Sequence, residues 1–72
     1  DNTAAGIESE RARGAAPAGR PARELAIALN AMNERVIYGV LAGTEPALSR
    51  EQALDVLVDI WLAAIYLSPP QL

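Results

Sequence analysis

Hydrophobic residues between positions 21 and 42 recur with the spacing of an α-helix. At 100° per residue, five of them fall on one apolar stripe: Leu25, Leu29, Met32, Val36 and Val40. Asn30 and Asn33 lie one turn apart at the edge of this stripe. A third face carries small side chains interrupted by one arginine: Ala28, Ala31, Arg35, Gly39 and Ala42. We therefore predict an amphipathic helix with two amides beside its apolar stripe and a small face that a neighbouring helix could approach closely.

Glycine and proline positions predict that this helix follows a shorter, polar helix. The first helix is predicted over about residues 3–13, where Glu10 and Arg13 form an i,i+3 pair and Gly14 supplies the left-handed stop. Pro21 is expected at the first position of the second helix, because its missing N–H costs nothing there. The second helix is then predicted over 21–42, with Gly43 ending it.

The third helix is predicted over residues 49–66. Ser49 and Gln52 have the spacing of a capping box, and the prolines at 69 and 70 forbid continuation. Asp55, Asp59 and Tyr66 form one narrow polar strip on this helix. The other residues from 53 to 65 are apolar and cover roughly two-thirds of the circumference, whereas a surface helix needs a stripe little wider than 100°. A helix of this kind must be covered on at least two sides.

This apolar excess, together with the short connection at 43–48, predicts the architecture. A short connection makes the second and third helices antiparallel neighbours. We expect an all-α fold in which this helical hairpin, preceded by a short N-terminal helix, pairs with a second copy into a four-helix bundle. Arg35 is expected to pair across the bundle with Asp55, Asp59 or a partner-chain acid. The expected dimer interface is Ala28, Ala31, Arg35, Gly39 and Ala42 on the second helix and Val56, Ile60, Ala63 and Ala64 on the third.

Composition removes several classes of function. The 72 residues include no Cys, His or Lys, and the net charge is −3. Disulfides, thiolate or imidazole metal sites and histidine bases are therefore excluded, and such a chain is a poor nucleic-acid binder by itself. Asp55 and Asp59 could be taken for a carboxylate dyad or half of a metal site, but no further acid has matching spacing, so a solvated strip is favoured. We expect no enzyme, metal or cofactor.

The apolar run from Val56 to Leu67 is interrupted by Asp59 and is too short for a membrane span. The beginning of the chain has no charged segment followed by a long apolar one, so we see no signal peptide. We expect a cytoplasmic protein that does not contact membranes.

Three pieces of the chain resemble the C-terminal end of TetR-family transcriptional repressors. They are Leu-Asn-Ala-Met-Asn-Glu-Arg at 29–35, Gly-Thr-Glu-Pro at 43–46 and Trp-Leu-Ala-Ala-Ile-Tyr at 61–66. The resemblance implies a dimeric regulator in which an N-terminal helix-turn-helix domain binds operator DNA. It also implies a C-terminal helical domain that dimerises and holds a small hydrophobic effector, which relieves DNA binding. We expect the helix-turn-helix and most of the pocket to lie outside this chain.

The resemblance also implies which residues bind the effector. The family's pocket asparagines match Asn30 and Asn33, a pocket aliphatic residue matches Ile37, and a pocket tryptophan matches Trp61. Paired amides provide the donors and acceptors that orient a ligand in an apolar pocket. From the residues alone, the amides could equally be half-exposed at a helix edge, and Trp61 could be part of the core.

A second class of function remains open at this stage. The same apolar excess would suit a free-standing helical module that binds a partner protein or an amphipathic peptide. A basic helix-turn-helix upstream of residue 1 would distinguish the repressor from this alternative.

Overall fold

A computed structural model describes residues 2–67, which form three helices connected by two turns. The helices are α1 (Asn2–Ala12), α2 (Ala22–Ala42) and α3 (Arg50–Tyr66). Residues 2–67 contain no β-strand, so the predicted all-α class is confirmed. The predicted proline stop after α3 lies outside the described residues.

Glycines end the first two helices as predicted. Gly14 has a φ of 78°, and hydrogen bonds from Gly14 N–H to the Arg11 carbonyl and from Ala15 N–H to the Glu10 carbonyl close a Schellman motif. Gly43 has a φ of 67°, and its N–H donates to the Gly39 carbonyl over 2.9 Å. Only a residue without a Cβ enters this left-handed conformation at little cost.

The N-termini of α2 and α3 are built differently. The predicted capping box is present: Ser49 Oγ accepts from the Gln52 N–H, and Gln52 Oε1 accepts from the Ser49 N–H, both over 3.1 Å. Pro21, predicted inside α2, is instead the residue just before it, with a ψ of 132°. Its carbonyl accepts the first helical bond from Leu25 N–H over 3.1 Å, which is the role of a cap residue. The predicted start of α2 was wrong by one residue.

α2 is the central helix, and α1 and α3 both pack on it. The Thr3 side chain of α1 reaches Asn30, and the Trp61 side chain of α3 reaches Asn33. Leu54, earlier in α3, lies beside Leu41 near the end of α2, so these two helices run antiparallel. The predicted stripe of α2 is the packed face, since all five of its members are buried or half-buried: Leu25, Leu29, Met32, Val36 and Val40.

The core is small and consists mostly of alanine. Among the hydrophobic residues at positions 2–67, only Ile7 and Leu29 combine a large side chain with burial; the other buried ones are Ala16, Ala22, Ala26 and Ala53. Many large hydrophobic side chains stay exposed, for example Leu41 at 74% and Leu54 at 64%. The apolar excess predicted from the sequence is therefore present, and residues 2–67 do not bury it themselves.

Arg35 and Gly39 have an intrachain role that the sequence did not predict. Arg35 extends over Gly39, where an added Cβ would come within 2.9 Å of its guanidinium nitrogen. The guanidinium donates to the Pro46 carbonyl over 3.1 Å. Within the described residues, Arg35 therefore contacts the α2–α3 turn and does not pair with Asp55 or Asp59. Gly39 is itself buried, and the Cβ of Ala47 in the turn lies 3.5 Å from the position that a Cβ on Gly39 would take.

Candidate functional site

Asn33 and Trp61 meet between α2 and α3. The indole Nε1–H of Trp61 donates to Asn33 Oδ1 over 2.9 Å, and both residues are half-buried. The bond forms because each residue lies on the edge of its helix that faces the other helix. Two of the residues for which the family resemblance implied effector binding are thus brought into direct contact.

An apolar trough runs along the α2–α3 crevice from this pair. Its first part is a depression of about 460 Å³ lined by Asn33, Trp61 and four aliphatic residues: Leu54, Leu57, Val58 and Leu62. A second depression of about 250 Å³ shares Leu54 and Leu57 and adds Ile37, Val40, Leu41, Ala53 and Arg50. We call the two together the trough. Ile37, 46% exposed, lines the second part, and the Asn33 amide lies in the first.

Asn30 faces α1. The Thr3 hydroxyl lies 3.4 Å from Asn30 Oδ1 and 3.3 Å from Asn30 Nδ2, and can donate to the first or accept from the second. Sequence reasoning missed Thr3 because its contact depends on how α1 crosses α2, which no local pattern specifies. The structure thus separates the two amides, Asn33 lining the trough and Asn30 lying at the α1 contact.

Trp61 also borders a second space, a cleft of about 300 Å³ between α1 and α3. Gly6 and Ile7 of α1 and Ile65 of α3 line its apolar part, while Glu10 and Tyr66 are among its polar residues. One indole ring is therefore shared by the trough and the cleft. This position accounts for both interpretations of Trp61 left open by the sequence, because the ring packs among the helices and remains partly accessible.

A charged network joins the ends of α1 and α3. The predicted Glu10–Arg13 pair is present, and the Tyr66 hydroxyl donates to the other oxygen of the same carboxylate. The hydrogen bonds from Arg13 and Tyr66 lower the pKa of Glu10, and the bond to the Glu10 carboxylate raises the pKa of Tyr66. The pattern of α3 had assigned Tyr66 only to its polar strip, so this link across 56 residues was missed.

The residues assigned to the dimer interface mostly face outward. Val56 and Ile60 are each 41% exposed, Ala63 is exposed and Ala64 is half-buried. They lie on one flank of α3, and Leu54, Val58 and Leu62 of the trough lie on the other. On α2, Ala28, Ala31, Arg35 and Ala42 are exposed, whereas Gly39 is buried.

Two other features bear on the class of protein. No group of three or more acidic side chains within residues 2–67 is arranged to hold a metal ion. Over the same residues, no helix has the length and apolar character needed to cross a membrane.

Comparisons with known proteins identify the family. Residues 1–67 match the family model described as the transcriptional regulator EthR, C-terminal domain. The chain is 53% identical over 64 residues to the HTH-type transcriptional regulator EthR of Mycobacterium tuberculosis H37Rv and to that of Mycobacterium bovis. It is 48% identical over 64 residues to the EthR of Mycolicibacterium smegmatis. Each match covers 89% of this chain and 30% of the relative, so the chain spans under a third of the relatives' length.

These relatives are named as transcriptional regulators, which are not enzymes, and the expectation of a non-enzymatic protein is confirmed. The all-helical fold agrees with the family match, which extends over α1, α2 and α3. The chain belongs to the EthR C-terminal domain family and is the C-terminal part of a TetR-type transcriptional regulator.

Proposed function

We propose that this chain is the effector-binding and dimerisation region of a repressor whose binding to operator DNA is relieved by a small hydrophobic ligand. The observation that carries the proposal is the trough, where the Asn33 amide lies among aliphatic side chains that the chain leaves exposed. A mostly apolar concavity with a few polar groups is the usual form of a small-molecule site.

In this proposal the ligand contacts Asn33, Ile37 and Trp61 along the trough, and Asn30 contributes from the α1 contact. Covering exposed side chains such as Leu54 and Leu62 removes apolar surface from water, which is the main driving force for binding. The amide of Asn33 then sets the orientation of the ligand. The remaining wall of the pocket comes from residues outside this chain.

The other flank of α3 is assigned to a second copy of the chain. Val56, Ile60, Ala63 and Ala64 would pack across a two-fold axis against the small face of α2: Ala28, Ala31, Arg35 and Ala42. Small residues allow close approach of two helices, and two such helices from each copy make a four-helix bundle. Gly39 would contribute indirectly, through the position that it allows Arg35 to take.

DNA binding is assigned to a segment outside this chain. A net charge of −3 is unfavourable for phosphate contacts, and the relatives are named HTH-type regulators. Ligand binding in the trough would change how the two copies are arranged, and with it the spacing of their DNA-binding domains. A repressor of this kind acts in the cytoplasm, on the operator DNA.

The test uses the longest natural chain that carries this sequence, in an operator-binding titration with and without hydrophobic ligands. We expect the double substitution Asn30→Leu and Asn33→Leu to abolish ligand-induced release from DNA while operator binding and helical content are retained. Arg23→Leu, a change of an exposed polar residue to Leu on the same helix, is the matched control and should leave the ligand response intact. An unchanged response in the double variant would refute the assignment of the asparagines.

The alternative is a free-standing helical module that binds a partner protein, and it relies on the same exposed side chains. The operator titration separates the two, because an interaction module would neither bind the operator DNA nor be released from it by a small molecule.

A further inference from the structure

Four exposed residues on one side of α2 are arranged symmetrically in charge and size. Ala28, Ala31 and Arg35 belong to the small face, and Glu24, one turn before Ala28, extends that face toward the start of the helix. The midpoint between Glu24 and Arg35 along α2 is also the midpoint between Ala28 and Ala31. A second copy of this surface, turned end over end, therefore presents a base to the acid and an acid to the base.

We propose that two copies of the chain meet through these surfaces, with their α2 helices antiparallel and Glu24 of each copy paired with the partner's Arg35. A two-fold axis through the shared midpoint also places Ala28 opposite the partner's Ala31. Such a contact is isologous, so each of these pairs occurs twice. The inference rests on the proposed function, since it specifies the residues that join the two copies. The α3 flanks assigned above to the second copy then pack beside this crossing.

The charged groups at the two ends of the surface are available for such pairs. Within residues 2–67, neither Glu24 nor Arg35 forms an ion pair. The Arg35 guanidinium uses one N–H on the Pro46 carbonyl, 3.1 Å away, and it has further donors. A second copy packed on the small face would bury this charge, which is strongly unfavourable without a partner. The second copy must therefore supply an acid, and of the two acids of α2 only Glu24 lies on this side of the helix.

The directions of the two side chains agree with the pairing. Side chains on a helix lean toward its N-terminus, so the Glu24 carboxylate is expected to extend back toward the start of α2. Arg35 extends the opposite way, over Gly39 toward Pro46. In an antiparallel crossing, the N-terminal direction of one helix is the C-terminal direction of the other. Both charged groups are therefore displaced the same way in space and can meet.

The same charges select the orientation of the two copies. A parallel arrangement in register would place Glu24 against the partner's Glu24 and Arg35 against the partner's Arg35, and like charges oppose association. The alanines between them allow the helix axes to approach to about 8 Å, the short end of the usual range. The hydrogen bond to Pro46 holds the Arg35 guanidinium in place before the second copy arrives, which reduces the entropy lost on pairing.

An exchange of charges tests the pairing, by sedimentation velocity over a concentration series on the longest natural chain that carries this sequence. Glu24→Arg places two arginines at each end of the crossing, and Arg35→Glu places two acids there. We expect each variant alone to weaken self-association roughly 10- to 100-fold, because two attractive pairs become repulsive. An equimolar mixture of the two variants should associate as the parent does, since every pair is again opposite in charge.

Glu34→Arg is the matched control. It makes the same change of charge at an exposed residue of the same helix, but outside the small face. Its self-association should stay within about twofold of the parent, as for an ordinary surface substitution. Circular dichroism of every variant checks that the helices are retained.

Cysteine cross-linking tests the crossing without changing either charge, so it decides the case in which Arg35→Glu does not fold. This chain has no cysteine of its own, and the test uses a background without other cysteines. A mixture of Ala28→Cys and Ala31→Cys, carried on differently tagged copies, should form a disulfide between the two, because a disulfide needs Cα atoms within about 7 Å. Ala42→Cys should not cross-link to itself, because its two copies lie about 37 Å apart along the crossing.

The outcomes separate this inference from the proposed function. If the parent protein does not self-associate, the dimerisation part of the proposed function is refuted, and the inference with it. If the parent associates and Glu24→Arg associates equally well, or if Ala28→Cys and Ala31→Cys do not cross-link, the crossing is refuted while the dimer stands. Folded single variants that fail to associate when mixed also overturn the pairing. Recovery in the mixture, together with the cross-link, supports it.

Discussion

The absence of a side chain at Gly39 determines where the Arg35 side chain lies. Because Gly39 has no Cβ, the Arg35 guanidinium can lie over the surface of α2 and reach the Pro46 carbonyl 3.1 Å away. The same contact ties α2 to the turn that leads into α3. A glycine within a helix would otherwise cost about 1 kcal/mol relative to alanine.

The two residues should therefore be energetically coupled. In the parent chain we expect Gly39→Ala to change the free energy of unfolding little, because about 1 kcal/mol of helix propensity is offset by loss of the Arg35–Pro46 hydrogen bond, of similar size. In an Arg35→Ala background the same substitution should stabilise by about 1 kcal/mol. Urea denaturation of the parent, the two single variants and the double variant, all at one protein concentration, measures this double-mutant cycle. Equal effects of Gly39→Ala in both backgrounds would contradict the coupling.

The hydrogen bond between Tyr66 and Glu10 predicts that folding stability depends on pH, with opposite signs for the two residues. The pKa of Tyr66 is raised on folding, so its contribution to stability is complete below the ordinary value of 10.0 and is lost as pH rises through the raised value. The pKa of Glu10 is lowered, so its contribution is present above 4.5 and is lost as pH falls through the lowered value.

Tyrosinate absorbance during an alkaline titration tests this prediction. Glu10→Gln should shift the ionisation of Tyr66 back toward its ordinary pKa, because the neutral amide accepts a weaker hydrogen bond from the hydroxyl and does not oppose the phenolate charge. Tyr66→Phe identifies which of the two tyrosines responds. Glu8→Gln, an exposed change on the same helix, is the matched control and should leave the titration curve as it is. Superimposable curves for the parent and Glu10→Gln would show that the bond does not form in solution.

At the scale of the helices, periodicity and local stop signals were sufficient for much of the fold. The stripe of α2 was predictable because packing selects apolar residues every three to four positions, and the stops at Gly14 and Gly43 are set within a few residues. The contacts that build the site were not predictable in this way. Trp61 meets Asn33 across 28 positions of sequence and Tyr66 meets Glu10 across 56, and such contacts depend on the crossing of whole helices.

The resemblance to a known family supplied the candidate site residues, and the structure added which of them meet. It placed Asn33 with Trp61 and Asn30 with Thr3, a division that helix periodicity could not provide. Gly39 and Arg35 were assigned to the small face of α2 because a helical wheel contains no information about a neighbouring turn. Their contacts with Ala47 and Pro46 appear only once that turn is folded.

α3 is apolar on both flanks, and we expect the two flanks to serve different partners. Val58 in the trough and Ile60 on the opposite flank are two residues apart, 46% and 41% exposed, and therefore form a matched pair. In the longest natural chain, Ile60→Glu should weaken self-association about 100-fold or more, because the interface would have to bury an unpaired charge. Val58→Glu should leave association unchanged and abolish binding of a neutral hydrophobic probe such as hexanophenone.

Sedimentation velocity measures self-association of the two variants, and calorimetric titration measures their ligand binding. Loss of association in Val58→Glu together with retention in Ile60→Glu would reverse the assignment of the flanks. Loss of association in both variants would mean that the partner copy covers the trough as well.

The molecule as a whole is elongated for its size. Its extents are 39 × 22 × 20 Å, and its Cα radius of gyration is 13.6 Å, whereas a compact domain of 72 residues has about 11 Å. α2 sets the long axis, since 21 helical residues span about 31 Å. α1 and α3 pack on α2 over a core made largely of alanine, so much of the apolar surface depends on contacts beyond the chain.

The molar mass of the 72-residue chain in solution is the most direct check on this dependence. We expect a helical dimer of twice 7.6 kDa in light scattering after size exclusion, because pairing is what would cover Val56 and Ile60. Since the core of one copy is small, dilution should reduce the dimer and the helical circular dichroism signal together. A monomer that keeps its full helical signal on dilution would show that the exposed flank of α3 needs no second copy, and the four-helix bundle would have to be abandoned.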